Sequence, residues 1–371
     1  MIRVLHVFRI MNRGGAETMI MNVYKKIDRT KIQFDFLCMD NNKGDYDDEI
    51  KQLGGNIYRI SPPNKDGYIK HIKDVIKVMK ENGPYKVVHV PTQFHSGIIC
   101  LVAFLQKIPI RIVHSHSAGA IKSGFARKIY NCIGRILIKL FSTDQIACGE
   151  KARDFLFGKS EKAKKNTLIL KNGIDINSYT NVLENEILNF RNEFNLKNNE
   201  FVIGHVGRFH KVKNHDFFIK LAEEYRRSNI KIKILLVGDG KLRKEFENKI
   251  KIKGLEEYFV ITGKRKDIPI IMNTIDVFVM PSLYEGFPMT IIEALAAGKK
   301  CILSDTISKE VEIIENSVEF LNLEDDIKKW THIIMKKGKE KLDKNESSKL
   351  LKKEGFDVKE TVKILEEIYL R

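Results

Sequence analysis

A chain of 371 residues is long enough to bury the cores of two domains, and 43% hydrophobic with 30% charged residues excludes a disordered or collagen-like polymer. Sixty-five Lys and Arg against 48 Asp and Glu leave a net charge of +17, which points to an anionic partner: nucleic acid, an acidic lipid surface or phosphate-bearing substrates. The five cysteines form no C-x-x-C pair, so neither a zinc site nor a disulfide framework is implied and a reducing cytoplasm fits; no signal peptide and no run of about 18 uncharged apolar residues is found.

Along the chain, short apolar runs recur at 2–9, 34–39, 87–90, 111–114, 144–148 and 167–170, each followed by a turn and a helical pattern. Alternation of this kind predicts a parallel sheet covered on both faces. Residues 120–141 predict an amphipathic helix. Ile121, Phe125, Ile129, Ile133, Ile136, Leu137 and Leu140 recur at mostly three-to-four-residue spacing, with Lys122, Arg127, Lys128, Arg135 and Lys139 around them. It lies in a stretch, 111–171, with 13 Lys and Arg against Asp144, Glu150, Asp154 and Glu161, a balance of +9. Two uses fit: an ordinary core-facing helix, or docking on an anionic membrane.

An Asn- and Glu-rich segment at 177–199 reads as a linker, after which strands restart at 201–206, 232–237, 258–262, 277–280 and 301–304, with helices at 215–227 and 240–253. The Lys-rich stretch 336–353 predicts one solvated helix, and 356–371 regains amphipathic spacing through Val358, Val362, Ile364, Leu365 and Ile368. The fold class expected is α/β, with two Rossmann-like doubly wound domains, 1–178 and 179–355, facing a central cleft that serves as the ligand site.

Several loops carry chemistry. Arg13-Gly-Gly-Ala-Glu17 follows the first strand, where Gly15 and a helix N-terminus leave room for phosphate or sugar oxygens. Neither it nor Gly238-Asp-Gly240 is a dinucleotide fingerprint, which disfavours a nicotinamide enzyme. Asp45-Tyr-Asp47 reads as helix capping and dipole complementarity before Asp48-Glu49. His116, in His114-Ser-His-Ser117, stands at a strand's carboxyl end and either bonds a substrate hydroxyl or is a satisfied loop histidine; no metal spacing exists among the ten histidines. Gly207-Arg208, followed by Lys213, offers a fork and a point charge for a diphosphate, or else a solvated basic loop. In the segment from Met280 to Gly298, Pro288 and Gly298 bracket a helix. Glu285 precedes it and Glu293 lies inside it, with an anion-binding start between them. Their spacing is too long for a glycosidase pair. They either hold two ends of one ligand or are a helix-start acid and a surface glutamate.

Taken together, Gly14-Gly15-Ala16-Glu17, His114-Ser-His-Ser117, Ile146-Ala-Cys148 with Phe155-Leu-Phe-Gly158, Asn172-Gly-Ile-Asp175, Gly207-Arg208 with Lys213-Asn214, Gly238-Asp-Gly240 and the E-x7-E pair Glu285 and Glu293 make the chain resemble the retaining glycosyltransferases of family four, most closely those of bacterial capsule and exopolysaccharide assembly. The resemblance implies the GT-B fold, a helix 356–371 packing back on the first domain, and transfer of a hexose or N-acetylhexosamine from a nucleotide sugar, UDP-linked, to a lipid-linked saccharide. It further implies that Glu293 binds the donor ribose and Glu285 the transferred sugar. Arg208 and Lys213 would bind the diphosphate, aided by Gly15, Gly207 and the amides of Met289, Thr290 and Ile291. His116 would lie near the sugar, the base would meet the turn at 263–267, and no metal or other cofactor would be needed. The family's usual residue after E-G-F is Gly, and here it is Pro288. The expected site of action is the cytoplasm, peripheral at the inner face of the membrane, with an anionic membrane surface and no nucleic acid as partner. Two rival functions share parts of this pattern: a sugar-nucleotide epimerase of the same architecture, and a basic nucleic-acid-binding protein, for which no helix-turn-helix, RNP or zinc motif is found.

Overall fold

The computed structural model describes residues 1–116 and 124–371. Ser117, Ala120, Ile121 and Lys122, parts of the expected histidine segment and amphipathic helix, lie outside those residues. The chain divides into two units, Met1–Ile174 with Gly355–Arg371, and Asp175–Glu354.

Among its described residues the first unit holds seven parallel strands: β1 Ile2–Phe8, β2 Ile32–Cys38, β3 Asn56–Arg59, β4 Val87–Val90, β5 Ile110–Ser115, β6 Asp144–Ala147 and β7 Thr167–Ile169, in the order β3-β2-β1-β4-β5-β6-β7. Side chains alternate across it, so Val4, Phe34, Phe36 and Ile112 feed one core while Leu5, Leu37, Val88 and Val113 feed the other. Burial on both faces is why these strands read as continuous apolar runs. Helices Gly15–Lys26 and Val358–Leu370 close the first core; Tyr68–Glu81 and Ser96–Leu105 close the second.

The second unit holds six parallel strands: β8 Phe201–Val206, β9 Ile232–Val237, β10 Phe259–Gly263, β11 Val277–Met280, β12 Lys300–Ser304 and β13 Val318–Leu321, in the order β10-β9-β8-β11-β12-β13. Strand order reverses between β1 and β4 in one sheet and between β8 and β11 in the other, and loops leaving the carboxyl ends diverge there to make room for ligands.

The structure differs from the sequence reading in four places. The boundary falls after Ile174, not at residue 178, because the short helix Ile176–Thr180 packs on the helix Met289–Ala296 of the second unit. The supposed linker is structured: Glu184–Glu193 is a helix, Phe190 and Leu196 are buried, and the Arg191 guanidinium donates to the carbonyls of Thr274, Lys197 and Glu200. The Lys-rich tail is two helices, Ile327–Lys337 and Lys344–Lys353, the second burying Leu351 and packing on Met289–Ala296. Strands β3 and β13 were not expected; each lies at a sheet edge, where one neighbour suffices and a continuous apolar run is not needed.

Candidate active site

In the second unit the site is assembled from two loops, one after β8 and one after β11. Gly207 ends β8, its N–H donating to Val237 at 2.9 Å. A Cβ there would meet His205 Nε2 at 2.8 Å and the Lys213 side chain at 3.3 Å, and a Cβ at Gly238 would strike the Gly207 carbonyl oxygen, so two backbones cross where only glycine fits. Beyond Gly207 the chain presents Arg208 on the surface and closes a single turn, Lys211–Lys213. Asn214, at φ 52°, reverses its direction.

That turn is stitched to the loop after β11. Asn214 Nδ2 donates to the Pro281 carbonyl at 3.0 Å, and the Leu283 N–H donates to the Val212 carbonyl at 2.8 Å. The Thr306 hydroxyl holds the Ser282 carbonyl from the far side at 2.8 Å. The stitching brings Lys213 Nζ to 2.7 Å from Glu285 Oε1, with the side chains only 18% and 16% exposed. A pair so little screened is fixed in position, unlike the surface pairs elsewhere on the molecule.

The helix Met289–Ala296 follows at once, with Pro288 at its N-cap and no side chain capping it. Its first turn closes tightly, the Ile291 N–H donating to the Pro288 carbonyl at 3.1 Å. Of the three amides expected to face phosphate, that of Ile291 is therefore already engaged, which corrects the sequence reading. Thr290 Oγ1 is buried there without a hydrogen-bond partner among the described residues. The helix start is thus a dipole end a few residues beyond the Lys213–Glu285 pair, suited to an anion.

Glu293 sits one turn further along and does not share the surroundings of Glu285. Burial pushes its carboxyl up to about 7, and a hydrogen bond with Tyr179 works against that rise. Tyr179 comes from the helix Ile176–Thr180 and is itself buried. No sequence signal marked it, since the contact depends on how two short helices pack. His205 was also missed. Its Nδ1–H donates to the Val279 carbonyl at 2.9 Å, leaving Nε2 beneath Gly207 with no partner among the described residues. The turn at 263–267 lies beside Gly238, whose N–H donates to Gly263 at 2.9 Å, and Arg265 there is held by Asp267 and Glu193, each at 2.7 Å.

Gly15 and His116 belong to the first unit. Gly15 is exposed at the start of the helix Gly15–Lys26, and a Cβ on it would meet nothing within 4 Å. The turn before it is clasped reciprocally: the Arg13 N–H donates to Asp45 Oδ2 at 3.2 Å, and the Asp45 N–H donates to Asn12 Oδ1 at 3.1 Å. Asp45 therefore shapes the loop and is not a helix cap, whereas Asp47 lies in the first turn of the helix Asp47–Gln52 and pairs with Arg59. His116, just past β5, has Nδ1 at 3.1 Å from Asn172 Oδ1. Burial pushes its pKa down to about 4, so the ring is neutral at pH 7. An amide oxygen only accepts, so Nδ1 carries the proton and Nε2 is left as an acceptor for a hydroxyl. The His114 ring packs on it at 3.9 Å and heads a separate buried hydrogen-bonded chain, His114 Nδ1 lying 3.1 Å from His89 Nε2 and His89 Nδ1 2.7 Å from the Tyr369 hydroxyl.

Comparison with known proteins puts this geometry in context. The family model of glycosyl transferases, group 1, matches residues 186–352. EpsF of Bacillus subtilis, named as a glycosyltransferase, is 38% identical, covering 99% of this chain and 96% of its own. The Escherichia coli UDP-Gal:alpha-D-GlcNAc-diphosphoundecaprenol alpha-1,3-galactosyltransferase is 22% identical over 100% of this chain and 97% of its own. Among solved structures, Anabaena HepE in complex with UDP and glucose aligns over 99% of both chains with a TM-score of 0.76 at 20% identity, a likeness of fold.

Proposed function

This chain belongs to the group 1 glycosyltransferases of bacterial polysaccharide assembly, with the GT-B fold, and on that premise we propose that it moves a hexose or N-acetylhexosamine from a UDP-linked donor to a lipid-linked saccharide with retention at the anomeric carbon. The observation that carries this reading is the little-exposed Lys213–Glu285 pair, with Glu285 just ahead in the chain of the uncapped start of Met289–Ala296 and Arg208 exposed in the loop that carries Lys213. Two cations on the loop after β8 and a helix dipole on the loop stitched to it suit a diphosphate. The separate carboxylates of Glu285, paired with Lys213, and Glu293, buried one turn into the helix, suit the hydroxyls at its two ends.

In this reading the bond from the anomeric carbon to the diphosphate oxygen breaks, and a bond to the acceptor oxygen forms on the same face. The acceptor's proton passes to the departing phosphate oxygen. Arg208 and Lys213 stabilise the charge that develops there, without a metal ion. Glu293 accepts from the ribose hydroxyls, Glu285 orients both Lys213 and the sugar, and the Nε2 of His116 accepts from a sugar hydroxyl. Gly15, Gly207 and the amides of Met289 and Thr290 allow close approach of phosphate oxygens. The name of the Escherichia coli relative, which acts on a diphosphoundecaprenol-linked sugar, supports a lipid-linked acceptor. The protein then works in the cytoplasm, peripherally at the inner membrane face; no helix among the described residues is long and apolar enough to cross a membrane.

A thermal-shift panel of nucleotide sugars tests the donor, since a ligand that binds only the folded state raises the melting temperature. A rise with UDP-sugars, followed by transfer of label to a lipid-linked saccharide, is the expected result. Isomerised donor with no transfer would replace the proposal with an epimerase.

A further inference from the structure

The helix Phe125–Phe141 turns its apolar stripe away from the protein. Phe125 is 81% and Leu140 66% exposed, and Ile129, Ile133 and Ile136 are about half exposed, whereas its buried residues are Gly134 and Ile138. At about 100° per residue, the five apolar side chains fall within an arc of about 80° on the solvent side. This orientation is fixed by the backbone. A Cβ at Gly97 would meet the Gly134 carbonyl oxygen and the Leu137 side chain, and a Cβ at Gly134 would meet the backbone of Phe94, so the helix crosses Ser96–Leu105 through its glycine face. A larger side chain has no room at Gly97 or Gly134, while Ile138 fills the rest of the inward face.

A second exposed apolar patch lies on the neighbouring helix, at the end of Phe125–Phe141. Phe104, half exposed, lies 5.2 Å from the Phe141 ring, and Leu105 beside it is exposed as well. Cations rim the apolar surface: Lys128 and Lys139 are exposed along one edge of the stripe, and Arg111 lies over the Phe104 ring at 5.5 Å. Neither helix contains an Asp or a Glu.

We propose that this face of the first unit docks on an anionic lipid bilayer, with the helix Phe125–Phe141 lying in the interface plane. Its 17 residues extend about 25 Å along the surface at about 1.5 Å each. The charge pattern selects this occupant. Apolar side chains enter the acyl boundary while lysines sit at the level of anionic headgroups, whereas a second copy of the chain would bring the same cations together with no carboxylate from either helix to meet them. The docking deepens the lipid-linked acceptor proposed above, because it brings the enzyme to the surface where that acceptor is found.

The test is flotation of the full-length protein with vesicles of phosphatidylcholine alone or mixed with phosphatidylglycerol. Wild type is expected to float with the anionic vesicles at low salt and to be released at about 1 M salt, where the screening length falls to about 3 Å. Ile133→Asn/Ile136→Asn and Lys128→Glu/Lys139→Glu should each weaken vesicle binding at least about tenfold. Both change exposed positions, so melting temperature and transfer to a water-soluble acceptor should stay at wild-type values. Equal binding by wild type and both variants, no binding to either vesicle, or a dimer in sedimentation that Ile133→Asn/Ile136→Asn dissociates would overturn the proposal. Salt-sensitive flotation by a protein that transfers no sugar would keep the docking surface and reject the proposed activity.

Discussion

The two signature glutamates differ in what surrounds them, and the difference is measurable. Glu285 is paired with Lys213, while Glu293 is buried with its carboxyl raised to about 7. If the ribose needs the ionised carboxylate, affinity for a UDP-sugar, whose diphosphate does not titrate near neutrality, should rise about tenfold from pH 6 to pH 8. Over that range the carboxylate fraction climbs from about a tenth to about nine tenths. Calorimetry on wild type and Glu293→Gln checks it: the variant should bind weakly at both pH values, and a flat wild-type profile would remove ionised Glu293 from the nucleotide site. Arg208 supplies a cleaner probe of phosphate stabilisation than Lys213. It is exposed, so its loss leaves no buried partner uncompensated. Arg208→Ala should reduce turnover by about 10²–10³ with an unchanged melting temperature, and EDTA should leave wild type active; EDTA inhibition reversed by magnesium would reject the metal-free assignment.

Among the secondary-structure elements, the last helix shows most clearly how distant sequence meets. Val358–Leu370 buries Val358, Val362, Leu365 and Tyr369 against the first core, and Glu366 Oε1 accepts from the Asp28 N–H at 3.1 Å. Tyr369 reaches furthest, packing edge-on against Phe34 at 5.9 Å while its hydroxyl meets His89. Tyr369→Phe keeps the ring and strands a buried ring nitrogen, which costs about 1–3 kcal/mol. Tyr369→Ala removes the ring as well and should cost about 3–5 kcal/mol, the range for large aromatic truncations. Urea unfolding gives the order; a Phe variant as stable as wild type would mean that the His89 contact contributes nothing. The amphipathic spacing of this helix was legible in the sequence, but its histidine partner was not.

For the whole molecule, buried histidines set the acid limit of the fold. His6, His89 and His114 in the first unit and His205 and His215 in the second are all held below their ordinary value of 6.5, chiefly by burial. The unfolded chain takes up these protons near pH 6.5 and the folded chain does not. Stability is therefore fully present above about pH 6.5 and declines as pH falls toward 4, by up to about 1.4 kcal/mol per histidine per pH unit. Thermal melts followed by circular dichroism should show the melting temperature falling steeply across that window. An unchanged melting temperature from pH 7 to pH 5 would show that these rings are protonated at no cost in the folded state.

Sequence alone determined the α/β class, most of the strands and the residue types of the loops proposed to bind phosphate. Each follows from a local rule: fully buried parallel strands must read as apolar runs, and a backbone crossing such as that at Gly207 must be glycine. It also marked Glu293 without its ionisation, because the raised pKa comes from burial by neighbours outside the motif, which the hydrogen bond with Tyr179 only partly offsets. Edge strands β3 and β13 escaped notice for the converse reason, one covered side leaving no continuous run. Tertiary structure decided the Lys213–Glu285 pairing, the tautomer of His116 imposed by Asn172 and the boundary after Ile174. Above all it decided the direction of Phe125–Phe141. Its period announced an apolar face, but the same period serves a core or a membrane, and only the glycine crossing at Gly97 and Gly134 turns that face outward.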